Sequence, residues 1–471
     1  MAALKGDNMR IPQFYAGRSV LITGATGFMG KVLVERLLTT CPDIGRLYLL
    51  MRTKRDADPN QRLQQLKDSA VFNNLRQRDP EQLNKLRTLP GDILQPKLGI
   101  SKESIAELKE VSIVFHSAAT VKFNEELRRA IEYNVLSVMR LLKICDELPN
   151  MQAFVHVSTA YSNADRKEIE EKVYPITTPL DELLALLDDE NIEPEELNKY
   201  LGSKPNTYTF TKGVAEYVVQ QHPKKRYSAA IFRPSVVISS NRNPFPGWIE
   251  NMNGPSGVIA GYNAGLLRVF TTNSAKEADL LPVDIAIDNL IAVAWETALS
   301  KSTAIKVYNC SVCENPTTWG DIERNVISYT REHPPKKTYF YPFLLVVKNR
   351  FLYAFLEFML QAVPFHIIEF VSRIFGIKQK HNLLALNQKF RDMTAALRFF
   401  VMNEWTFKND NMRMLREKLH PSDAKLFHLD PRTVNWKEHY SNFVIGVRRH
   451  LLKHEEEDTQ TKEQFRRAAM F

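Results

Sequence analysis

A doubly wound α/β fold of Rossmann-like type with a parallel sheet, joined to a smaller, mainly helical C-terminal region, is the architecture this sequence predicts. Two observations carry the prediction. From Arg18 to about Ala160, β-rich apolar runs without polar alternation are separated by helical patterns, the signature of parallel strands covered on both faces. From roughly Lys336 the chain becomes helical and aromatic, beginning Tyr339-Phe340-Tyr341-Pro342-Phe343-Leu344-Leu345. The division that follows is 1–335 for the α/β region and 336–471 for the helical one.

The first predicted strand, Ser19-Val20-Leu21-Ile22, runs into Gly24-Ala25-Thr26-Gly27-Phe28-Met29-Gly30, and a helical pattern over Lys31 to Leu38 follows. Glycines between a strand and a helix let the backbone approach a pyrophosphate, which then sits on the positive helix N-terminus. Gly24, Thr26, Gly27, Phe28, Met29 and Gly30 are therefore the candidate dinucleotide cradle. A merely structural turn is the competing reading.

The second strand, Leu47 to Leu50, ends in Met51-Arg52-Thr53-Lys54-Arg55, with no acid before Asp56. Enzymes using NAD usually place a carboxylate here on the ribose 2′-hydroxyl. A cationic cluster suits a 2′-phosphate instead, because a guanidinium binds it bidentately. Arg52 thus predicts NADPH.

Further strands are predicted at Val111 to Phe115 and Phe154 to Val157. The latter ends in Ser158-Thr159-Ala160, presenting two hydroxyls at the edge where such a sheet keeps its ligand crevice. Ser158 and Thr159 remain equal candidates for donation to a substrate carbonyl.

A proton donor is needed beside a nicotinamide. Tyr-x-x-x-Lys puts phenol and ammonium on one helical face, where the cation lowers the phenol pKa. The spacing occurs twice, at Tyr200 with Lys204 and at Tyr208 with Lys212. Pro205 disfavours helix at Lys204, whereas Tyr208 and Lys212 run into Val214, Ala215, Val218 and Val219 at helical spacing, so the second pair is chosen.

Residues 163–204 carry 12 acids against 5 bases inside a chain of net charge +9, with Leu183, Leu184, Leu186 and Leu187 marking an amphipathic helix. They read as an inserted acidic helical element with a solvated face. The excess of 63 Lys and Arg over 54 Asp and Glu suits anionic ligands without selecting one.

The composition, with 44% hydrophobic and 25% charged residues, excludes bulk disorder and a multi-span membrane protein. Four cysteines make no disulfide framework. Cys310 and Cys313 have CxxC spacing but no second pair, so a strand around Val307 to Val312 is preferred to a metal site. There is no G-x-S-x-G elbow, no phosphate-binding G-x-x-x-x-G-K-[ST] loop, no HExxH and no nucleic-acid module.

The N-terminal MAALKGDNMR lacks an apolar core, so no signal peptide is expected. Charges at Lys348, Arg350, Glu357 and Glu369 interrupt the apolar stretch 339–375. It is read as amphipathic or interfacial, associating peripherally with a membrane or lipid droplet rather than spanning a bilayer.

These motifs together resemble the extended short-chain dehydrogenase/reductase superfamily and, more narrowly, the alcohol-forming fatty acyl-CoA reductases of the male-sterility-protein family. The resemblance runs from about Val20 to His454. Beyond the segments above it rests on Gly91-Asp92, His116-Ser117-Ala118-Ala119-Thr120, Asn134, Arg233-Pro234-Ser235, Pro244-Phe245-Pro246-Gly247-Trp248, Asn403-Glu404-Trp405, Asn435-Trp436 and Gly446-Val447-Arg448-Arg449-His450.

The resemblance implies that Asp92 binds the adenine, that Ala118 and Ala119 line the nicotinamide ribose, and that Thr159, Tyr208 and Lys212 are catalytic. It also implies reduction of long-chain acyl-CoA with NADPH to fatty alcohol through an aldehyde, at a cytosol-facing membrane of endoplasmic reticulum, peroxisome or lipid droplet. Lys122 and Arg242 are candidates for the CoA phosphates. Many relatives end in a hydrophobic segment, where this chain carries His454-Glu455-Glu456-Glu457-Asp458. The alternatives are a thioester reductase that stops at aldehyde, another NADP-dependent extended reductase, and a non-catalytic NADP-binding scaffold at a lipid surface.

Overall fold

The computed structural model describes residues 9–53, 57–188, 193–223, 226–336, 338–377 and 382–454. Most of the N-terminal stretch read for a signal peptide, the basic residues Lys54 and Arg55 with Asp56, and the acidic tail 455–458 lie outside the described residues.

Seven strands form one sheet: β1 (Ser19–Thr23), β2 (Leu47–Met51), β3 (Leu86–Pro90), β4 (Val111–His116), β5 (Ala153–Val157), β6 (Ser228–Pro234) and β7 (Lys306–Cys310). Their order is β7-β6-β5-β4-β1-β2-β3, and every pairing is parallel. Strands β1, β2, β4 and β5 are buried along their whole length, which explains the continuous apolar runs. Edge strand β3 buries only Leu86 and Leu89 of Leu86-Arg87-Thr88-Leu89-Pro90, and so carries no such run. The order reverses between β1 and β4, whose last residues Thr23 and His116 are in register. That reversal opens a crevice beyond the carboxyl ends of the two strands.

Four helices matter for the crevice: α1 (Phe28–Thr40), α2 (Ser137–Glu147), α3 (Thr207–Gln221) and α4 (Val283–Ser300). Helix α4 is buried almost throughout. Its Asp288 accepts from the α1 Arg36 guanidinium at 2.7 and 3.1 Å, with both side chains buried.

The acidic insertion contains the helices Leu180–Asp188 and Pro194–Asn198. Its Leu183 is fully buried, and Leu184, Leu186 and Leu187 pack against the same core, while Asp181 and Glu182 are exposed. A short strand, Glu168–Ile169, pairs with Thr406–Phe407, and Trp405 Nε1 donates to the Ala164 carbonyl.

The described chain packs as two compact units, each assembled from more than one stretch. The first comprises residues up to 237, 281–314 and 405–432; the second comprises 238–280, 315–404 and 433 onward. This interleaving differs in kind from the linear division read from the sequence, because residues 405–432 fold back onto the sheet-bearing unit.

Within the second unit, α5 (Trp319–Glu332) packs on α9 (Trp436–Gly446), and the strands Val269–Thr271 and Leu345–Val347 pair in parallel. Gly446 abuts the Gly247 backbone so closely that an added Cβ would collide with the Gly247 carbonyl. Helices α6 (Arg350–Glu357) and α7 (Val363–Ile374) are joined by a π-turn over Phe358–Ala362, and α8 (Leu383–Met402) packs beside them. Together α6, the turn and α7 make a continuous 25-residue helix, long and apolar enough by composition to cross a membrane. Glu357 and Glu369 lie within it, so it holds no uncharged run of 18 residues, as read from the sequence.

Candidate functional site

Strand β1 delivers Gly24 at φ +76°, a conformation that suits glycine. A Cβ there would sit 2.8 Å from the Ala118 backbone nitrogen. Gly30, in the first turn of α1, faces the turn just as tightly, since its Cβ would meet the Gly24 carbonyl oxygen at 2.2 Å. Gly27 is the exposed N-cap of α1 with no side-chain cap, and the first turn of α1 has no acid. Phe28 and Met29 begin α1 and are partly buried. Backbone amides at a positive helix end, beside a backbone that tolerates no extra carbon, fit a pyrophosphate.

At the end of β2, Arg52 lies partly exposed, with Nη1 3.6 Å from Asp92 Oδ2 and donating to the Tyr133 hydroxyl at 3.3 Å. A second guanidinium, absent from the sequence reading, stands beside it. Arg62 donates to the Arg52 carbonyl at 2.5 Å and to Thr26 Oγ1 at 3.0 Å, and so ties the glycine turn to the end of β2. Burial first, and then the neighbouring Arg52 charge, hold Arg62 below its usual pKa. Two adjacent cations that repel each other are suited to an anion. Asp92 also accepts from the Leu94 backbone at 3.1 Å.

Strand β4 ends at His116, and Ser117 leads on to the alanines. Ala118 N donates to Thr23 Oγ1 at 3.2 Å, holding the chain close over the end of β1. Thr120 N donates to Asn134 Oδ1 at 2.9 Å, and Asn134 Nδ2 donates to Thr211 Oγ1 of α3 at 2.9 Å. Asn134 sits in a π-turn over Glu132–Leu136, an irregularity frequent at functional sites.

Helix α3 starts at N-cap Asn206, which accepts from Thr209 N at 2.9 Å. Tyr208 in its first turn stacks on Phe123 with ring centres 5.8 Å apart. Desolvation pushes its phenol up to about 12, partly countered by a hydrogen bond with Thr159. One turn later Lys212 is buried, donating to the Val157 carbonyl at 2.8 Å. Desolvation lowers its ammonium to about 8, and the Glu216 carboxylate counters part of that shift. The other Tyr-x-x-x-Lys pair is not helical across its length: Tyr200 lies in a short 3₁₀ turn that stops at Gly202, and Lys204 is tied to Asp165 at 2.6 Å and the Ser162 carbonyl at 2.9 Å.

The two hydroxyls left open after β5 separate clearly. Ser158 donates to the buried Glu216 Oε1 at 2.5 Å, so its proton is engaged away from Tyr208. Thr159 is the one that meets Tyr208. Glu216 and Arg233, which anchor Ser158, were not singled out from the sequence as site residues, since a Glu on the buried face of a helix looks anomalous until its partner is known. Beneath Lys212 lie His116 and His156, cross-strand neighbours with ring centres 5.6 Å apart. Burial, then the Lys212 charge, drives His116 to about 3 and His156 well down, so both are neutral.

Lys122 is exposed and 3.6 Å from Glu125, and Arg242 is also exposed. Among the described residues no group of three or more His, Cys, Asp or Glu is placed to hold a metal ion. Cys310 is buried and Cys313 exposed.

A seven-stranded parallel sheet in this order, a glycine turn at its first crossover, and a Tyr-x-x-x-Lys helix next to β5 define a nicotinamide-dependent oxidoreductase of the short-chain dehydrogenase/reductase type. Two family models match the chain, both described as male sterility protein, one an NAD-binding domain over residues 22–290 and the other the Sterile domain over 360–454. Fatty acyl-CoA reductase 1 of Xenopus laevis is 38% identical over 451 residues, covering 95% of this chain and 87% of the relative. The human protein of the same name is 36% identical over 453 residues, covering 94% and 87%, and fatty acyl-CoA reductase 2 of Bos taurus is 37% identical over 447 residues, covering 94% and 86%.

Among solved structures, the terminal R domain of the myxalamid PKS-NRPS pathway superposes with a TM-score of 0.60 at 17% identity, covering 94% of this chain and 93% of its own. The reductase (R) domain of a Mycobacterium tuberculosis non-ribosomal peptide synthetase does so with 0.57 at 18%, covering 96% and 99%. These two share the fold. The chain belongs to the male sterility protein family of fatty acyl-CoA reductases.

Proposed function

We propose that this chain reduces long-chain fatty acyl-CoA to fatty alcohol and CoA in two successive steps, with NADPH as reductant. The observation that carries the reading is the meeting of Tyr208, Thr159 and Lys212 at the end of β5, in a chain whose relatives are fatty acyl-CoA reductases.

The cofactor's pyrophosphate is assigned to Gly24, Thr26, Gly27, Phe28, Met29 and Gly30, its 2′-phosphate to Arg52 and Arg62, its adenine to Asp92, and its nicotinamide ribose to Ala118, Ala119, Tyr208 and Lys212. Reduced nicotinamide, when bound, supplies hydride to a carbonyl carbon. Tyr208 then gives its phenolic proton to the developing oxyanion, and Thr159 holds that oxygen by a hydrogen bond. The Lys212 ammonium stabilises the phenolate left behind. In the first step the product is a hemithioacetal, which collapses to aldehyde as the C–S bond breaks and CoA leaves as the thiol. In the second, with Tyr208 reprotonated from water and a second equivalent of reductant bound, the aldehyde carbonyl is reduced in the same way. No cysteine nucleophile is called for.

The NADPH assignment rests on the paired guanidinium groups at Arg52 and Arg62, with Arg52 standing where an NAD enzyme has an acid. Incubation of the purified chain with NADPH and acyl-CoAs of graded length, followed by mass identification of products, is the test. Alcohol with two equivalents of NADPH consumed supports the reading. Aldehyde as the end product restricts it to a single step, and no turnover of any acyl-CoA overturns it.

A further inference from the structure

The helix Arg350–Ile374 of the second unit turns apolar side chains to solvent along most of its length. Phe351 is 86% exposed, Phe355 61%, Phe370 65% and Phe375 73%, with Phe358, Met359, Ile367 and Ile374 between them. Large side chains left in water in two groups, over 351–359 and 367–375, form a surface of the kind that marks an interaction site.

The face carries no unscreened acid among the described residues. Glu357, the one carboxylate in α6, is turned inward and buried, where Arg391 of α8 donates to it at 2.7 and 2.8 Å and Asn387 at 2.9 Å. Gln361 of the π-turn is likewise buried and donates to Asn387. Glu369 is mostly covered and lies 3.4 Å from Arg373. The cations stand at the two ends: Lys348 and Arg350 are exposed before the first turn of α6, and Arg373 is exposed in the last turn of α7.

We propose that this face lies flat on an anionic phospholipid bilayer, its aromatic residues entering the headgroup boundary and Lys348, Arg350 and Arg373 meeting lipid phosphates. An amphipathic surface with aromatics on one face and cations at its margins is what such a boundary binds. The helix is long enough to span, but Glu357, Gln361 and Asn387 bind it to α8 through buried polar bonds. Crossing the bilayer would break these bonds and carry a carboxylate into hydrocarbon. In-plane seating keeps every one of them. The surface belongs to the second unit alone and is independent of the reaction assigned to the first.

The test is flotation of the full chain with vesicles of phosphatidylcholine alone and of phosphatidylcholine mixed with phosphatidylserine, at low and high salt. The full chain is expected to float with the mixed vesicles and to lose much of that binding in high salt. Phe355→Glu/Phe370→Glu should weaken it about tenfold or more, and Arg350→Ala/Arg373→Ala should remove the preference for anionic lipid. Unchanged thermal melting of both variants would show that the fold is retained. Three results overturn the proposal: vesicle binding unaffected by the phenylalanine changes, resistance of the bound protein to carbonate extraction, which indicates a spanning helix, and absence of flotation with a concentration-dependent dimer that those changes abolish, which assigns the face to a second copy.

Discussion

Arg233 and Glu216 form a fully buried bidentate ion pair, with the guanidinium donating to the two carboxylate oxygens at 2.8 and 2.6 Å. The pair sits beneath the site rather than in it. Glu216 is one helical turn beyond Lys212 and also accepts from Ser158 and Ser162, while Arg233 donates besides to the carbonyls of Glu170 and Lys172 and to Asn309 Oδ1. The pair thus links β6, α3 and the segment after β5 through its carboxylate, and the acidic insertion through its guanidinium.

Removing one partner of such a pair leaves a buried charge alone, and the loss is about 3–5 kcal/mol. Glu216→Gln is expected to destabilise the chain by that amount, read as a fall in the urea midpoint. A change below about 1 kcal/mol would show that solvent reaches Arg233 and that the pair is not the structural link described.

Glu216 also bears on pH. Lys212 is held at about 8 by burial, with Glu216 acting against that shift. The proposed role needs the ammonium, so the reduction rate should fall as pH rises through about 8. Glu216→Gln should move that limb to lower pH. For stability the sign is opposite: above about 8 the folded lysine has released its proton, while the unfolded one keeps it to its ordinary value of 10.5. The unfolded state binds more protons in that window, and the contribution of Lys212 to stability rises with pH across it. A pH–rate profile of the parent chain and the Gln variant checks the first point; a limb at the same pH in both removes the coupling.

Tyr208→Phe keeps the ring that stacks on Phe123 and deletes the proton donor. A loss of about 10²- to 10⁴-fold in turnover is expected, with cofactor affinity in a fluorescence titration weakened far less than turnover. Tyr200→Phe is the control, since Tyr200 is only partly buried against the core and its lysine is engaged by Asp165. Near-parental turnover is expected there. An active Tyr208→Phe beside an inactive Tyr200→Phe would transfer the role to the other pair.

Local patterns account for what the sequence disclosed. The strands at Ser19, Leu47, Val111 and Phe154 were legible because both faces of the sheet are covered, and the turn at Gly24 because its residues are contiguous. The helix at Tyr208, against the broken turn at Tyr200, was legible from Pro205 and from the helical spacing of Val214, Ala215, Val218 and Val219. Arg62 was not, because its proximity to Thr26 comes from the chain folding back after β2, which no spacing rule records. Ser158 and Thr159 are adjacent and chemically alike. Only the buried carboxylate of Glu216, 58 residues away in sequence, tells them apart. The return of residues 405–432 to the sheet-bearing unit likewise depends on contacts such as Asn309 Nδ2 with the Lys408 carbonyl, invisible in composition.

The cofactor preference gives the last prediction. Arg52 and Arg62 stand together at the end of β2, where a hydrogen bond from a charged group to a phosphate contributes about 1.5–3 kcal/mol. Arg62 has a second, structural duty, since it donates to the Arg52 carbonyl and to Thr26. A drop in activity for Arg62→Ala would therefore not by itself identify a phosphate contact. The distinction lies in using both cofactors: a group that touches the 2′-phosphate affects NADPH and leaves NADH alone, whereas a loosened glycine turn weakens both. Arg52→Asp should raise the KM for NADPH by about 10- to 100-fold and improve use of NADH, because the new carboxylate can accept from the ribose 2′-hydroxyl. Arg62→Ala should raise the KM for NADPH more than that for NADH. Equal use of the two cofactors by the unaltered chain would remove the assignment, and equal weakening of both in Arg62→Ala would leave Arg62 as a brace for the turn and Arg52 as the sole phosphate contact.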